Sequence, residues 1–238
     1  MRLCCGRVRI GPFAFPIGAE PSIANRFRTV LFSSLERFPG ARFVATSDVV
    51  KIMRQQESLQ SLASFWNPRF PGQISDHLVI AEELTESVID LEGHDVVAVP
   101  LGHTDTVNTT CLHVPSIGLV VAGDAAYNGV HLHLAESDPQ TRREWIAALD
   151  TIEAFKPRAV IAGHKRAEND DSPKIIEETR QYIRDFDRVA GTTTTARELY
   201  DKMLELHPNR VNPGALWNSA RAIKPQKVVG GVLLDPKT

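Results

Sequence analysis

Residues 118–124 read Gly-Leu-Val-Val-Ala-Gly-Asp, an apolar run that ends in glycine and is followed directly by a carboxylate. Two other segments share this pattern: Val96–Leu101 leads into Gly102-His103, and Ala159–Ala162 leads into Gly163-His164. A glycine at the end of a buried strand lets a metal ion or a substrate approach the backbone. The three segments therefore predict that two histidines and one aspartate meet at strand ends as metal-capable side chains.

Each segment also has a simpler interpretation. A Gly-His pair after a strand is commonly a turn histidine, and a Gly-Asp pair is commonly a turn or a helix cap. The combination favours a shared site, because His103, Asp124 and His164 follow one another at intervals of about 20 and about 40 residues. A lone buried carboxylate is costly, so burial of the aspartate would require a cation or several hydrogen-bond donors.

The composition is that of an ordinary globular protein of 238 residues, with 42% hydrophobic and 24% charged residues. The formal net charge of −2 gives no reason to expect nucleic acid or an anionic membrane as a partner. Three cysteines, Cys4, Cys5 and Cys111, are a poor disulfide framework and indicate a reducing compartment. We therefore expect a cytoplasmic protein that acts on a small molecule, without nucleic-acid or membrane partners.

The first 20 residues differ from the rest of the chain. Residues 1–19 contain three arginines and no acidic residue, with scattered glycine and proline. We expect a poorly ordered or atypical arm over residues 1–20, followed by one domain over residues 21–238. A mitochondrial presequence is the alternative for the arm, although Pro12 and Pro16 would interrupt an amphipathic helix.

The pattern of apolar residues and turn signals predicts helices first, then a β-meander, then alternating strands and helices. The predicted helices are Pro21–Phe38, one from Ser47, one from Pro139 to before Pro157, one from Ser172-Pro173 to Val189, Thr195–Leu206 and Pro213–Ile223. The predicted strands are Arg42–Thr46, Val88–Leu91, Asp95–Val99, Thr109–Val114, Gly118–Val121, Arg158–Ala162 and, unless it is a tail, Val228–Leu234. Residues 124–128 are predicted to enter a loop. This order indicates a mixed α/β fold.

Four segments carry a resemblance to a known family: Phe38–Thr46, Gly102–Thr106, Val120–Asp124 and Ile161–His164. They are similar to segments of the metallo-β-lactamase-fold hydrolases, over roughly residues 21–225. The resemblance implies an α/β fold of the αββα sandwich type, with one or two zinc ions in a groove at the edge of the sheets. In that family, the residues matching His103, Asp124 and His164 ligate the first metal, bridge both metals and ligate the second metal, respectively.

The sequence departs from the family pattern at its most diagnostic motif, His-x-His-x-Asp-His. The corresponding residues 19–25 read Ala-Glu-Pro-Ser-Ile-Ala-Asn and contain no histidine. The strands that normally precede the motif are also lacking, so we expect a truncated N-terminal region and a sandwich that is incomplete in its N-terminal sheet. The apolar face left bare would promote self-association.

Two other segments are candidates to replace the missing ligands. Asp76-His77 follows a Pro-Gly break rather than a strand, and His131-Leu132-His133 would place both rings on one face of a strand. We predict instead that His131 lines the substrate pocket. Tyr127 and Asn128 are predicted to line it too, where they could orient a carbonyl or phosphoryl oxygen. A packed tyrosine and a turn asparagine are the alternative.

The predicted function is a metal-dependent hydrolase that cleaves an ester, thioester, lactone or similar bond. Zinc is the expected cofactor, held weakly in a partial site by His103, Asp124 and His164, with little hydrolysis as the consequence. The alternative is a non-catalytic, degenerate family member that acts by binding or oligomerisation. The substrate stays open, because function depends on the site rather than on the fold.

Overall fold

The computed structural model describes residues 42–56, 68, 71 and 80–224. They belong to two compact units, which divide between Ala98 and Val99. The predicted arm, the first predicted helix, the Asp76-His77 pair and the predicted last strand all lie outside the described residues.

Among its described residues up to Leu84, the first unit has two very short strands and one helix. Strands β1 (Val44–Ala45) and β2 (Glu82–Glu83) pair in parallel. Helix α1 (Ser47–Gln56) starts at the predicted serine. The predicted strand at residues 42–46 and the helix that follows it are therefore confirmed over the described residues.

A hairpin completes the first unit. Strands β3 (Val88–Leu91) and β4 (His94–Gly102) pair antiparallel, and β4 continues past the unit boundary. The two turn residues, Glu92 and Gly93, have φ angles of 55° and 87°. Positive φ at both central residues is what a tight type I′ hairpin turn requires, and it follows the right-handed twist of the strands.

Three neighbouring strands lie among the described residues of the second unit: β5 (Thr109–Val114), β6 (Leu119–Asn128) and β7 (Ala159–Lys165). Strand β6 pairs antiparallel with β5 and in parallel with β7. The parallel pair is joined by a helical crossover, as parallel strands require. The apolar runs identified in the sequence form the buried parts of β6 and β7, including Val120 and Val160.

Four helices follow the meander in the part of the chain that is described up to residue 224. They are α2 (Pro139–Ala154), α3 (Lys174–Thr192), α4 (Ala196–Leu206) and α5 (Pro213–Ile223). The start of α2 was predicted from its sequence, and the Asp138 carboxylate accepts hydrogen bonds from the backbone N–H groups of Gln140 and Thr141, both at 2.8 Å. This cap satisfies donors that the first turn of a helix otherwise leaves unpaired. The predicted mixed α/β fold is confirmed.

The core of the second unit lies where α2 and α3 pack on β6. Large side chains there are fully buried: Trp145, Leu149, Ile152, Ile183 and Phe186. Burial of each such side chain contributes about 1.5–3 kcal/mol. Of the helices in the described ranges, none is long and apolar enough to cross a membrane.

Three of the described strands are longer than the sequence predicts, and one of them is β4, which runs from His94 to Gly102 rather than from Asp95 to Val99. Strand β6 does not end before Asp124 but continues to Asn128, and β7 continues from Ala162 through His164 to Lys165. The prediction of a loop at residues 124–128 is therefore wrong. In β6, hydrogen bonds from distant helices support an extended conformation in a segment of low intrinsic strand propensity, and β7 extends beside it through the pairs Tyr127–His164 and Asn128–Lys165.

Candidate metal centre

The pairing of β6 with β7 is irregular at the point where Asp124 lies. Gly123 is opposite Ala162, and the next matched pair is Tyr127 with His164. Three residues of β6 therefore face the single residue Gly163 of β7. Such a bulge redirects side chains, and bulges are over-represented next to functional sites. Gly123 has a φ of 55°, a left-handed conformation that glycine adopts without strain.

This irregularity brings Asp124 and His164 together. The Nε2 atom of His164 lies 3.4 Å from Oδ1 of Asp124, and the two side chains are only 15% and 12% exposed. The side chains therefore meet at a site that is largely shielded from water. Carboxylate oxygen and imidazole nitrogen are both ligands of zinc and of other first-row divalent metals.

Gly163 is required by this arrangement. A Cβ atom at this position would overlap Oδ1 of Asp124 and would lie 2.9 Å from the carbonyl carbon of Gly123. The glycine that the sequence places before His164 therefore leaves room for the carboxylate. Absence of a side chain, rather than backbone freedom, is its contribution here.

Tyr127 packs against the same histidine. The two rings stack with centroids 5.0 Å apart and an interplanar angle of 23°, and Tyr127 is 1% exposed. A ring held on one face of the imidazole restricts its rotation. The predicted role of Tyr127 in a substrate pocket stays a prediction, while its contact with His164 is observed.

His103 lies directly after β4, as predicted. Its Nδ1 atom is 2.9 Å from the carbonyl oxygen of Thr104. A carbonyl can only accept, so Nδ1–H donates and the Nε2 atom of neutral His103 carries the lone pair. A hydrogen bond of this kind fixes the tautomer of metal-ligating histidines. The geometry leaves Nε2 as the nitrogen that would bind a cation.

Asp105, two residues after His103, is a buried acid that the sequence pattern does not single out. It is 1% exposed, its Oδ1 atom accepts a 3.1 Å hydrogen bond from the Thr104 hydroxyl, and its Oδ2 atom has no hydrogen-bond partner within residues 42–56 and 80–224. Burial raises the pKa of Asp105 well above its ordinary value, and the neighbouring charge of Asp124 raises it further. Two carboxylates that oppose each other's ionisation form an environment that a cation would stabilise.

The other two predicted pocket residues, Asn128 and His131, form hydrogen bonds within the fold. The Asn128 amide donates to the carbonyl oxygen of Asp170 at 2.7 Å and accepts from the Asn169 amide at 2.6 Å. His131 is fully buried, with Nδ1 3.0 Å from the Tyr182 hydroxyl. Both side chains therefore have partners inside the fold, and their roles in a substrate pocket stay predictions.

The residues present fit a divalent cation in their chemistry, although not as a complete cage. Asp124 and His164 are in contact, the space at Gly163 accommodates the carboxylate, and Asp105 has an unsatisfied oxygen nearby. Within the described part of the chain, however, no three His, Cys, Asp or Glu side chains form a group that could hold a metal ion. The structure thus brings together two of the three predicted ligands.

In a mixed α/β unit, the parallel strands β6 and β7 thus bring an aspartate and a histidine together at one shielded site. The sequence matches the metallo-beta-lactamase superfamily over residues 39–164, which is more than half of the chain. The chain belongs to this superfamily. Its members are generally metal-dependent, usually with zinc.

A solved structure agrees with the chain at the level of the fold, and two others superpose with lower TM-scores. A metallo-beta-lactamase family protein from Thermus thermophilus superposes with a TM-score of 0.51 at 18% identity, covering 81% of this chain and 67% of that one. A metallo-beta-lactamase from Pontibacter korlensis gives 0.47 at 11% identity, with 65% and 62% covered, and a beta-lactamase domain protein from Burkholderia ambifaria gives 0.49 at 13%, with 76% and 58% covered.

The chain therefore spans about three-fifths of the length of several structures that it matches. No curated protein matches it significantly.

Proposed function

We propose that the chain is a metal-dependent hydrolase of the metallo-beta-lactamase superfamily with a partial zinc site, acting on an ester, thioester, lactone or similar bond. The observation that carries the proposal is the contact between Asp124 and His164, 3.4 Å apart at a shielded strand edge. His103, with its Nε2 lone pair available, would be the third ligand. A zinc ion bound there would supply Lewis-acid chemistry, by polarising a carbonyl and activating water.

The residues of the chain have separate tasks in this proposal. Asp124 and His164 would hold the ion, and the space at Gly163 keeps the carboxylate next to the imidazole. Tyr127 would restrict the His164 ring through its stacking contact. If Asp124 bridged two ions, each ion would have only two protein ligands, Asp124 and one histidine. Zinc sites normally have three or four protein ligands. We therefore propose one weakly held ion and slow hydrolysis.

A non-catalytic family member is the second candidate. It is favoured by one observation: in the ranges that the structure describes, no group of three ligand-type side chains is assembled. Such a protein would act by binding or by oligomerisation and would not depend on a metal for its function. The two candidates differ in how the chain responds to zinc.

Metal content after chelation and reloading tests the proposal. Protein treated with a chelator and then dialysed against zinc should retain about one ion per chain, and its melting temperature should rise with free zinc. The substitution Asp124→Asn should abolish the rise. His113→Gln is the matched control, because His113 stacks on Phe155 at 4.3 Å and lies apart from the proposed ligands in sequence.

The outcomes separate the candidates. No bound zinc and no thermal shift would contradict the hydrolase proposal and favour the non-catalytic alternative. Two tightly held ions per chain would contradict the partial site. A panel of ester, thioester and lactone substrates, assayed with and without zinc, would then identify the bond class. Activity that persists unchanged in Asp124→Asn would argue against this site as its source.

A further inference from the structure

The segment that carries Asp124 has to be held by something other than its pairing with β7. Between Gly123 and Tyr127 the register shifts, so three residues of β6 lie opposite Gly163 alone. A ladder with this mismatch cannot fix the position of each residue in the bulge. The contacts that the bulge and the flanking residue Tyr127 make with the helices packed on β6 therefore help to place the Asp124 carboxylate.

Two helix side chains make these contacts through hydrogen bonds. Trp145 of α2 donates from its indole N–H to the carbonyl oxygen of Ala125 at 2.8 Å. Thr179 of α3 accepts from the backbone N–H of Tyr127 at 3.1 Å and donates to the carbonyl oxygen of the same residue at 3.3 Å. One hydroxyl thus pairs both backbone groups of Tyr127, as a neighbouring strand would.

These hydrogen bonds lie wholly inside the protein. Thr179, Ala125 and Trp145 are fully buried, and Tyr127 is 1% exposed. Backbone groups buried without a partner cost about 1–3 kcal/mol each, because no water replaces the lost partner. Removal of the Thr179 hydroxyl would therefore make the backbone of Tyr127, which directly follows the bulge, move until its N–H and C=O groups found other partners.

Movement of Tyr127 would be transmitted to the candidate ligands. The Tyr127 ring stacks on His164 at 5.0 Å, and His164 contacts Asp124 at 3.4 Å. A shift of the Tyr127 backbone moves the ring that packs on the imidazole, and the bulge that moves with it includes the aspartate. Supporting groups behind metal ligands commonly change metal affinity about 10–100-fold when they are removed.

We propose that Thr179 is a positioning residue for the Asp124–His164 pair, acting through the backbone of Tyr127. This inference rests on the proposed metal site and deepens it, because it assigns to α3 the task of holding the β6 bulge in its ligand-presenting conformation. Thr179 itself contacts no ligand atom; its effect passes through hydrogen bonds and ring stacking.

Substitutions of matched shape separate the hydroxyl from the methyl group of Thr179. Thr179→Val keeps the shape and removes the hydroxyl, whereas Thr179→Ser keeps the hydroxyl and removes the methyl. The control is Thr193→Val, which removes another buried hydroxyl, bonded to the carbonyl oxygen of Val189 at 2.8 Å. Val189 lies ten residues further along α3, or about 15 Å along a helix. The Thr193→Val control therefore tests loss of stability without movement of the bulge.

Cobalt(II) binding, followed through visible absorption, is the first measurement, because cobalt(II) accepts zinc-type ligands and is coloured. Thr179→Val should bind cobalt about 10–100-fold more weakly than wild type and show an altered absorption band. Thr179→Ser and Thr193→Val should stay close to wild type. Equal affinity and an equal spectrum in folded Thr179→Val would overturn the inference.

A second measurement needs no metal. In metal-free protein, the ring current of Tyr127 should displace the proton resonances of His164, which are assigned by their loss in His164→Gln. Thr179→Val should move these resonances, while Thr179→Ser and Thr193→Val should not. Resonances unchanged in Thr179→Val would overturn the inference even if cobalt does not bind. Wild-type protein that binds no cobalt but shows the predicted resonance shifts would contradict the proposed metal site alone.

Discussion

Two histidines of the second unit lie in contrasting surroundings. At the edge formed by β6 and β7, His164 is 15% exposed and contacts the Asp124 carboxylate. In the core, His131 is fully buried and bonds to the Tyr182 hydroxyl, with the Arg210 guanidinium 4.8 Å from the Tyr182 ring centre. The first histidine faces an acid and the second faces a neutral hydroxyl near a cation.

The contrast shows how the surroundings assign a role to the same side chain. A carboxylate next to an imidazole stabilises positive charge, whether a proton or a metal ion provides it. Around His131 the opposite holds, because burial lowers the pKa of His131 to about 4 and the nearby charge of Arg210 lowers it further. The edge region therefore suits a cation, and the core region suits neutral packing.

Low pH should destabilise the protein because the buried His131 resists protonation in the folded state. This is the largest effect that we expect. The folded pKa of His131 is about 4 and its ordinary value is 6.5, so the unfolded state binds the proton first. This contribution to stability is fully present above pH 6.5 and is lost as the pH falls towards 4, by at most roughly 3 kcal/mol. Denaturant unfolding at several pH values would measure it.

A variant without the titrating group identifies the source. His131→Leu should flatten the pH dependence between 6.5 and 4, and the control His94→Gln removes an exposed histidine at the start of β4. His207 contributes in the same direction, because burial lowers its pKa as well. A pH profile identical in wild type and His131→Leu would contradict the assignment to His131.

The contact between Asp124 and His164 is disrupted most directly by a substitution that fills the space beside Asp124. Gly163→Ala puts a Cβ where Oδ1 of Asp124 lies, so the carboxylate must leave its place next to His164. We expect a loss of stability of about 1–3 kcal/mol from overpacking. We also expect zinc to lose most of its stabilising effect, measured as a smaller thermal shift.

The matched control lies in a helix. Gly191 has open space around its Cα, and it lies within α3, where alanine is favoured over glycine. Gly191→Ala should stabilise the protein by about 0.5–1 kcal/mol and leave the zinc response unchanged. If Gly163→Ala retained the full zinc response, Asp124 would not be a ligand in the observed conformation.

The stability of the region around His131 also depends on the hydroxyl of Tyr182. Tyr182→Phe leaves the Nδ1 atom of buried His131 without the partner that it has at 3.0 Å. The cost should be about 1–2 kcal/mol, within the range for an unsatisfied buried group. Urea unfolding would measure the loss, and the zinc-induced thermal shift should not change. A weaker zinc response in Tyr182→Phe would show that the two regions are coupled.

How much the sequence could predict depended on whether the deciding contacts were local. The helix from Pro139 and the hairpin turn at Glu92-Gly93 follow from capping and turn residues within a few positions. The extension of β6 through Tyr127 could not be predicted in this way, because Thr179, 52 residues away, supplies the hydrogen bonds that hold it. Asp124 and His164 were predicted to meet because both follow apolar runs that end in glycine, although they lie within β6 and β7 rather than beyond the strand ends.

His131 shows the limit for the candidate site. As part of His131-Leu132-His133 it matched a pattern for metal binding or pocket lining, and the partner that surrounds it, Tyr182, lies on a distant helix. Asp105 was an unremarkable polar residue in sequence, yet the fold buries it. Burial of single polar residues is a tertiary property, which short sequence patterns do not encode.

Substitution of Asp105 should have the smallest effect on stability, and the sign of that effect is informative. Its carboxyl is buried with Oδ2 unpaired in the described part of the chain, and burial together with Asp124 raises its pKa. A raised carboxyl pKa adds stability below the unfolded value of 3.8, and this stability is lost as the pH rises through the folded value. Asp105→Asn, which cannot ionise, should therefore stabilise metal-free protein at neutral pH, by about 1 kcal/mol.

Bound zinc should act against the difference in stability between wild type and Asp105→Asn. If a cation at Asp124 and His164 also relieves the charge of Asp105, wild type should gain more stability from zinc than Asp105→Asn does. Thermal melts of both proteins with a chelator and with zinc give the difference, and Asp201→Asn, at an exposed aspartate on α4, controls for the loss of one negative charge. Destabilised metal-free Asp105→Asn would mean that Asp105 serves the fold rather than the cation, since a group retained for a ligand should cost stability in its absence.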